Sequence, residues 1–409
     1  MSAVASATPA PPGLTPRERA AMAAVAVQFF VNGSTFSSFV PRLPEVRDAT
    51  GITLDQLGLL TSIAAVAGFL GNLTVSRVIE RLGSRRTMLV CGTLLCSALP
   101  LIGFAEAPWV LLIGLLVMMS VDVMVDVAMN LQASWLSARR AAPVMNRMHG
   151  LWSLGSLTGA GVGVLLTSAG VGLDVHLAVA AAVLFTAQAV GSRWMLRDDA
   201  AYQHQQPAVT SDPVDRPAGH RRAELLGLLA LGALGLGGVA MEITPGDWAA
   251  FRFTDDLGTS QSFAALGFVA VAAGMTTGRF AGDWVAHRVP ARRLARLSMA
   301  TVASGVAIAT LVPNRYVDLG GFLVSGLGAA TLLPTLYDRA ARRPGRAGSG
   351  LGALTAGLRV GFLTLPLVTG TLAGTRLDVG PAIAIVVLGA GALFVAADAM
   401  TSRLAANGT

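Results

Sequence analysis

The chain has 409 residues, of which 53% are hydrophobic and 13% are charged, and its formal net charge is +7. A soluble globular protein carries about 25% charged residues, so this composition excludes one. The charges stand in short clusters between apolar runs of about 20 residues, the length that crosses a bilayer as a helix. The positive charge does not indicate a nucleic-acid partner, because most arginines fall on one side of the predicted topology.

Twelve apolar segments follow one another along the chain, and they predict an all-α integral membrane protein built from two six-helix bundles. The predicted organisation is a disordered tail at 1–19, a first bundle at 20–196, a linker at 197–223, a second bundle at 224–402 and a short tail at 403–409. The predicted segments are 20–40, 54–76, 87–105, 109–135, 146–168, 175–196, 224–246, 261–283, 294–312, 317–337, 349–374 and 379–401.

The distribution of arginine predicts the orientation. A cytoplasmic N-terminus puts most arginines in cytoplasmic loops and tails, as the positive-inside rule requires. Few arginines then face outward, and they are Arg42, Arg47, Arg252, Arg315 and Arg376. Both chain termini are therefore predicted to be cytoplasmic.

The fourth segment carries the clearest functional signal. Asp122, Asp126 and Asn130 are four residues apart, so they share one face of a helix. A carboxylate at the bilayer centre costs roughly 2.5–3.5 kcal/mol on insertion scales, and such groups are usually functional. Two carboxylates one turn apart do not both ionise easily. Asp126, followed by Asp122, is the predicted proton-coupling residue, and the alternative is an acid buried for packing.

Polar and charged side chains in other segments form a candidate solute site. Gln28 and Asn32 belong to a polar seam in the first segment, which suits a hydroxylated solute unless its side chains only bond neighbouring helices. The candidate solute-binding residues are Gln28, Asn32, Asn130, Trp152, Glu242, Trp248 and Arg359. Arg359 either pairs with Asp122, Asp126 or Glu242 or binds an anionic group of the solute, and pairing is slightly favoured.

A charged loop occurs twice, once after the second segment (76–86) and once after the eighth (283–293). When the two loops are aligned, Arg81 matches Arg288, which indicates two repeats around a site at the membrane midplane. Arg279 and Asp283, four residues apart, are predicted to pair beside the second loop. The predicted cytoplasmic latch comprises Glu80, Arg81, Gly83, Arg85, Arg86, Arg279, Asp283 and Arg288.

The first loop resembles the signature G-x-L-x-D-R-x-G-R-R of the major facilitator superfamily, with Ser76 in place of the first Gly and Glu80 in place of the Asp. Finer matches, such as Pro41-Arg42-Leu43-Pro44-Glu45 and His149-Gly150-Leu151-Trp152, resemble the rhizopine-permease-like and fucose-permease-related branch. The resemblance implies the superfamily fold, a monomer in the bacterial inner membrane, and a loop that latches the two halves.

The predicted function is proton-coupled transport of a small polar solute, sugar- or cyclitol-like, by alternating access. Proton-driven efflux of a metabolite or antibiotic-like compound is the alternative, although Ala160 replaces the Pro of the family's antiporter signature. A membrane receptor or assembly protein that transports nothing is the alternative of a different class. No catalytic or metal-binding motif occurs, so neither an enzyme nor a cofactor is predicted. The predicted partners are solute, protons and the lipid bilayer.

Overall fold

A computed structural model describes residues 14–140, 144–197, 218–342, 349–375 and 377–406, and only the backbone of residues 146, 218–222, 283 and 404–406. Within these ranges no strand occurs and twelve helical segments are long and apolar enough to cross a membrane, which confirms the predicted fold class. The helices are α1 Pro16–Phe39, α2 Leu43–Thr50, α3 Leu54–Leu82, α4 Ser84–Gly103, α5 Pro108–Arg140, α6 Met145–Ser168, α7 Leu173–Gly191, α8 Ala218–Phe251, α9 Gln261–Ala286, α10 Ala291–Leu311, α11 Arg315–Ala329, α12 Leu332–Ala341, α13 Ser349–Ala373 and α14 Val379–Ala406.

Three helices extend beyond the residues at which the predicted bundles begin or end. Helix α1 begins at Pro16, since the Thr15 side chain accepts from the Glu18 N–H at 3.2 Å and the Glu18 carboxylate accepts from the Thr15 N–H at 2.9 Å. This reciprocal cap satisfies donors that a helix start leaves free. Helix α8 begins at Ala218 and α14 ends at Ala406. Residues 1–13, 198–217 and 407–409 lie outside the described residues.

Two breaks in the helices were not predicted. A 3-10 turn at Val40–Arg42 separates α1 from α2, and the prolines at the start of both segments suit the first turn of a helix. The tenth span divides into α11 and α12 at Ala330 and Thr331. The predicted first segment, 20–40, is thus a single helix followed by a short extra one, whereas the predicted tenth segment, 317–337, is interrupted where a single helix was expected.

The two halves repeat one packing pattern. In the first half α1 packs against α6 and α7, and α5 packs against α3 and α4; in the second half α8 packs against α13 and α14, and α11 packs against α9 and α10. The halves meet where α3 contacts α13 and where α6 contacts α9. In the repeat α3 corresponds to α9 and α6 corresponds to α13, so each contact is the equivalent of the other. This is expected for parallel six-helix repeats around a central axis.

Twelve crossings place Pro16 and Ala406 on the same side, which we name the terminal face. At the other side, the opposite face, the halves are joined by an ion pair of Arg47 with Asp255. The Leu367 N–H also donates to Ser62 Oγ at 3.1 Å. The opposite face is therefore closed in this conformation.

Two glycines allow α3 and α13 to cross closely near the opposite face. A Cβ on Gly58 would lie 2.4 Å from the Pro366 carbonyl oxygen, and one on Gly370 would lie 2.5 Å from the Leu54 carbonyl oxygen. Both contacts are with backbone, which does not move aside as a side chain does. Closure of the opposite face therefore depends on glycine at both positions, because any larger residue would push the two helices apart.

We expect Gly58→Val to hold the opposite face open and to abolish transport, because the added methyl groups overlap the α13 backbone. The distance between spin labels at Glu106 and Asn314, exposed positions at the opposite face of the two halves, should increase. Gly389→Val is the matched control, because a Cβ at Gly389 meets nothing within 4 Å. An unchanged label distance in Gly58→Val would contradict the prediction.

Candidate functional site

Two carboxylates lie near the middle of α5. Asp122 is roughly 21 Å along the helix from Pro108 and roughly 27 Å from Arg140, at about 1.5 Å per residue. Its Oδ1 accepts a hydrogen bond from Asn32 Nδ2 of α1 at 2.8 Å. One turn on, Asp126 Oδ1 accepts from Asn130 Nδ2 at 2.9 Å. The predicted shared face exists, and each carboxylate is oriented by one amide.

The Asp122–Asn32 contact continues into α6. Trp152 Nε1 donates to Asn32 Oδ1 at 2.8 Å, so Asn32 accepts from the indole and donates to the carboxylate. The two partners fix the orientation of the amide, because an indole N–H only donates and an ionised carboxylate only accepts. Asn32 therefore links α5 to α6.

Arg279 of α9 joins this chain to the second half. Its guanidinium carbon lies 5.3 Å from the centre of the Trp152 ring, a cation–π distance. Nη1 donates to Ser153 Oγ at 2.6 Å and Nη2 donates to Glu242 Oε1 at 3.2 Å. We name the connected set Asp122, Asn32, Trp152, Ser153, Arg279 and Glu242 the central network. It crosses from one half to the other.

The assignment of Arg279 to the latch needs correction. Arg279 lies only about 10 Å along α9 from its end at Ala286, but its long side chain contacts Glu242 and Ser153 inside the protein. The side chain of Asp283, its predicted partner, lies outside the described residues. Glu242 lies about 36 Å along α8 from Ala218 and about 14 Å from Phe251, which agrees with the predicted outer half, and the Arg279 side chain extends to it.

The cleft between the halves is lined by polar groups from both. Asp126 is exposed although it lies mid-helix, and the Tyr337 hydroxyl of α12 is within electrostatic range of Asp126, Glu242 and Arg359. Because Tyr337 belongs to the other half, Asp126 lies on a side of α5 that is turned towards that half. Asp126, Tyr337 and Arg359 therefore face the same space.

Arg359 does not pair with an acid, contrary to the favoured prediction. Among the described residues no carboxylate oxygen lies within 4.0 Å of its guanidinium, whose carbon is 5.7 Å from the Phe69 ring centre. Of the three acids predicted as its partner, Asp122, Asp126 and Glu242, the last is paired with Arg279. The other hypothesis for Arg359, contact with an anionic group of the solute, stays a prediction.

Two other predicted solute residues are packed away from the cleft. Gln28 is 1% exposed, and Trp248 is 5% exposed and stacks on Phe251 at a ring distance of 5.5 Å. The seam of serines and threonine that follows Asn32 is also buried and donates to backbone carbonyls, as Ser34 does to Gly155 at 3.0 Å. Interhelical and intrahelical bonding therefore explains the seam, and of α1 only Asn32 joins the central network.

Apart from Arg279, the predicted latch residues that have described contacts make them within their own halves. Arg85 Nε donates to the Ser192 carbonyl at 2.6 Å, and Gly83 takes a positive φ of 77° that favours glycine in the turn between α3 and α4. Arg288 lies over the Trp284 ring at 4.0 Å. Glu80, Arg81 and Arg86 are exposed, and no ion pair joins them to the second half in the described part of the chain. Latching remains a prediction for another conformation.

Sequence reasoning missed three buried ionic clusters at the helix ends. Arg42 contacts Glu45 and His176, Arg252 contacts Asp256 and Asp318, and Asp398 contacts three arginines. Arg42 and Arg252 were treated as loop residues, yet they are 2% and 5% exposed. The acid Asp398 lies inside the last apolar segment, and this position is a signal that could have predicted the third cluster.

The chain matches the family model described as Major Facilitator Superfamily over residues 25–366. Membrane protein MosC of Rhizobium meliloti is 28% identical over 330 residues, which cover 80% of this chain and 77% of the relative. An uncharacterized MFS-type transporter of Yersinia pestis is 27% identical over 348 residues, which cover 85% of each chain. Similarity to MosC leaves the rhizopine-permease-like branch a prediction.

Solved structures show the same fold. The nucleoside transporter NupG is similar with a TM-score of 0.71 and 13% identity, over 94% of this chain and 99% of the other. A bacterial homolog to the human lysosomal transporter Spinster, in an inward-facing and occupied conformation, has a TM-score of 0.64 and 15% identity, over 96% of each chain. Sequence identities this low support a shared fold and no shared function.

Proposed function

Since this chain belongs to the major facilitator superfamily of membrane transporters, we propose that it is a secondary active transporter that couples proton movement to transport of a small polar organic solute. The observation that carries the proposal is the central network, which links Asp122 in one half to Glu242 in the other through Arg279. Alternating access requires such a connection, because proton binding in one half has to alter contacts in the other.

Asp126 is the group that exchanges the proton in this proposal. It faces the cleft, and within the described residues no cation lies within ion-pairing distance of it. An ionisable side chain inside the membrane without a countercharge marks a proton relay or a solute pathway. Asp122, one turn away and bound to Asn32, transmits the charge change to the central network.

Arg279 provides the conformational coupling. It holds Glu242 of its own half and Ser153 of the other at once. When the cleft changes its access, α9 and α6 move relative to each other, so Arg279 has to give up one set of partners. An ionic contact with two discrete arrangements is a known element of switching transitions.

The solute occupies the cleft beside Asp126, Asn130, Tyr337 and Arg359. Hydroxyl, amide and aromatic groups surround this space, and they suit a hydroxylated solute such as a sugar or cyclitol. The terminal face is cytoplasmic in this proposal, in line with the arginine distribution, so the conformation with a closed opposite face is inward-facing.

The proposal is tested by proteoliposomes that contain a pH-sensitive dye. Sugars, cyclitols, amino acids and hydrophobic drugs are added one at a time, and internal pH is followed together with solute uptake. Solute-driven acidification supports proton symport and identifies the solute. Solute-driven alkalinisation would mean exchange, as in efflux pumps, and absence of any transport across the panel would favour a receptor or assembly protein.

We expect Arg359→Gln to raise the KM for the solute by about tenfold to a hundredfold, because a hydrogen bond from a charged group contributes about 1.5–3 kcal/mol. The ratio of protons to solute should stay unchanged, since Arg359 is not placed in the central network. Initial uptake rates over a range of solute concentrations measure both. Arg359→Lys, which keeps the charge, should lie between wild type and Arg359→Gln, and an unaltered KM in Arg359→Gln would remove the residue from the site.

A further inference from the structure

A second concavity lies at the terminal face, between the start of α1 and the turn after α7. It has a volume of about 360 Å³ and is lined by Arg17, Ala20, Arg193, Trp194, Met195 and Arg197. We name it the arginine pocket. It lies in the first half, outside the cleft, so the proposed transport mechanism gives it no role.

The pocket concentrates positive charge. Arg17, Arg193 and Arg197 are exposed, and no described carboxylate lies within 4.0 Å of any of them. A fourth arginine, Arg85, lies within electrostatic range of Arg197. Such a cluster of guanidinium groups favours a ligand with phosphate oxygens, which accept paired hydrogen bonds from arginine.

The nearby acids do not cancel this charge. The carboxylate of Glu18 pairs with Arg139 at 2.9 Å and with the cap at Thr15, so it is already engaged. Asp198 and Asp199 follow Arg197 in the sequence and lie outside the described residues. Their effect on the pocket is therefore part of the test.

Apolar surface leads from the pocket into the membrane. Trp194 is 51% exposed at the pocket rim, as expected for a side chain at the level of lipid headgroups. Along the adjoining helices Val27 of α1 and Val190 of α7 are exposed, and the two helices approach each other at Gly191, where an added Cβ would lie 3.8 Å from Val27 Cγ1. A ligand with a charged head and a hydrocarbon tail matches this surface, whereas a free anion matches only the arginines.

We propose that the arginine pocket binds the headgroup phosphate of an anionic phospholipid, with an acyl chain along Val27 and Val190. Basic pockets between membrane helices on the cytoplasmic side are known to bind anionic headgroups. The lipid would join the ends of α1 and α7, which are neighbours in the first half. This proposal does not depend on the identity of the solute or on proton coupling.

The test measures retention of phosphatidylglycerol by the purified full chain in native mass spectrometry. In Arg17→Gln/Arg193→Gln/Arg197→Gln we expect retention to fall by about a hundredfold, since each arginine near an anionic lipid surface contributes about fivefold. The matched control is Arg140→Gln/Arg293→Gln/Arg403→Gln. It removes the same charge from exposed positions near the terminal face that lie outside the pocket.

Three further arms separate the outcomes. Phosphatidylcholine should be retained weakly by all variants, and inorganic phosphate at millimolar concentration should not displace phosphatidylglycerol. Asp198→Asn/Asp199→Asn should retain phosphatidylglycerol at least as well as wild type. Equal losses in the pocket and control variants, or displacement by inorganic phosphate, would overturn the proposal, because binding would then be diffuse or independent of the lipid.

Discussion

In Asp126→Asn we expect solute-driven proton movement to fall to the level of empty liposomes, while exchange of labelled for unlabelled solute continues. Asparagine keeps the shape of the side chain and accepts a hydrogen bond from Asn130 as the carboxylate does at 2.9 Å. It cannot take up a proton, so the variant should behave as a permanently loaded carrier. Parallel recordings of internal pH and of solute counterflow separate the two activities.

Asp122→Asn is the informative comparison for Asp126→Asn. Its carboxylate is bound to Asn32 at 2.8 Å and is less exposed than that of Asp126. We therefore expect Asp122→Asn to slow both proton and solute movement through the central network, without separating them. If Asp122→Asn separates the two activities and Asp126→Asn retains both, the roles of the two acids are reversed.

In Arg279→Gln we expect loss of transport together with lower stability. The substitution leaves Glu242 without its cation, and breaking a buried ion pair in this way costs about 3–5 kcal/mol. The loss here should be smaller, because the two side chains keep 19% and 18% of their exposure. Thermal unfolding in detergent and solute uptake in liposomes measure the two effects.

The double variant Glu242→Gln/Arg279→Gln serves as its control. With both charges removed no carboxylate is left unpaired, so unfolding should return towards the wild-type temperature while transport remains absent. Stability that stays low in the double variant would assign the loss to the contacts of Arg279 with Trp152 and Ser153. Transport that recovers in it would contradict a coupling role for the ion pair.

The sequence predicted the architecture because hydrophobic length alone determines where a helix crosses a membrane. It also placed Asp122, Asp126 and Asn130 on one face, since helical periodicity is a local property. The break at Ala330 was missed because apolar composition continues through it, and α2 was missed because Leu43–Thr50 is too short and too polar to stand out as an apolar segment. A repeated loop and an even number of spans were enough to predict two equivalent halves.

The partners of the charged residues were much harder to predict. Arg279 was assigned to Asp283, four residues away, but it bonds Glu242 on another helix and Ser153 in the other half. Arg359 was assigned to an acid, but its guanidinium lies over the ring of Phe69. Helical spacing identifies neighbours along one helix only, whereas these contacts depend on how helices pack.

The burial of individual side chains could not be predicted from the sequence either. Gln28 and Asn32 lie one turn apart and both carry an amide, so the sequence does not distinguish them. Only Asn32 contacts an acid across the helix interface. Trp248 follows Asp247 near the end of a span and looked like part of the solute path. It is packed instead beside Gly370, where α3 and α13 cross, because glycine leaves room for a large ring there.

The buried ionic clusters at the helix ends have a mechanical consequence. Arg42 with His176, Arg252 with Asp318, and Asp398 with its arginines each tie together helices of a single half. Each half is thus stiff, whereas among the described residues the opposite face is held together by an ion pair, a few hydrogen bonds and a glycine crossing, so the halves are joined less firmly there. Damage to a cluster should reduce how much folded protein a cell accumulates. Damage to the contacts at the opposite face should leave that amount unchanged and alter how long the carrier dwells in each orientation.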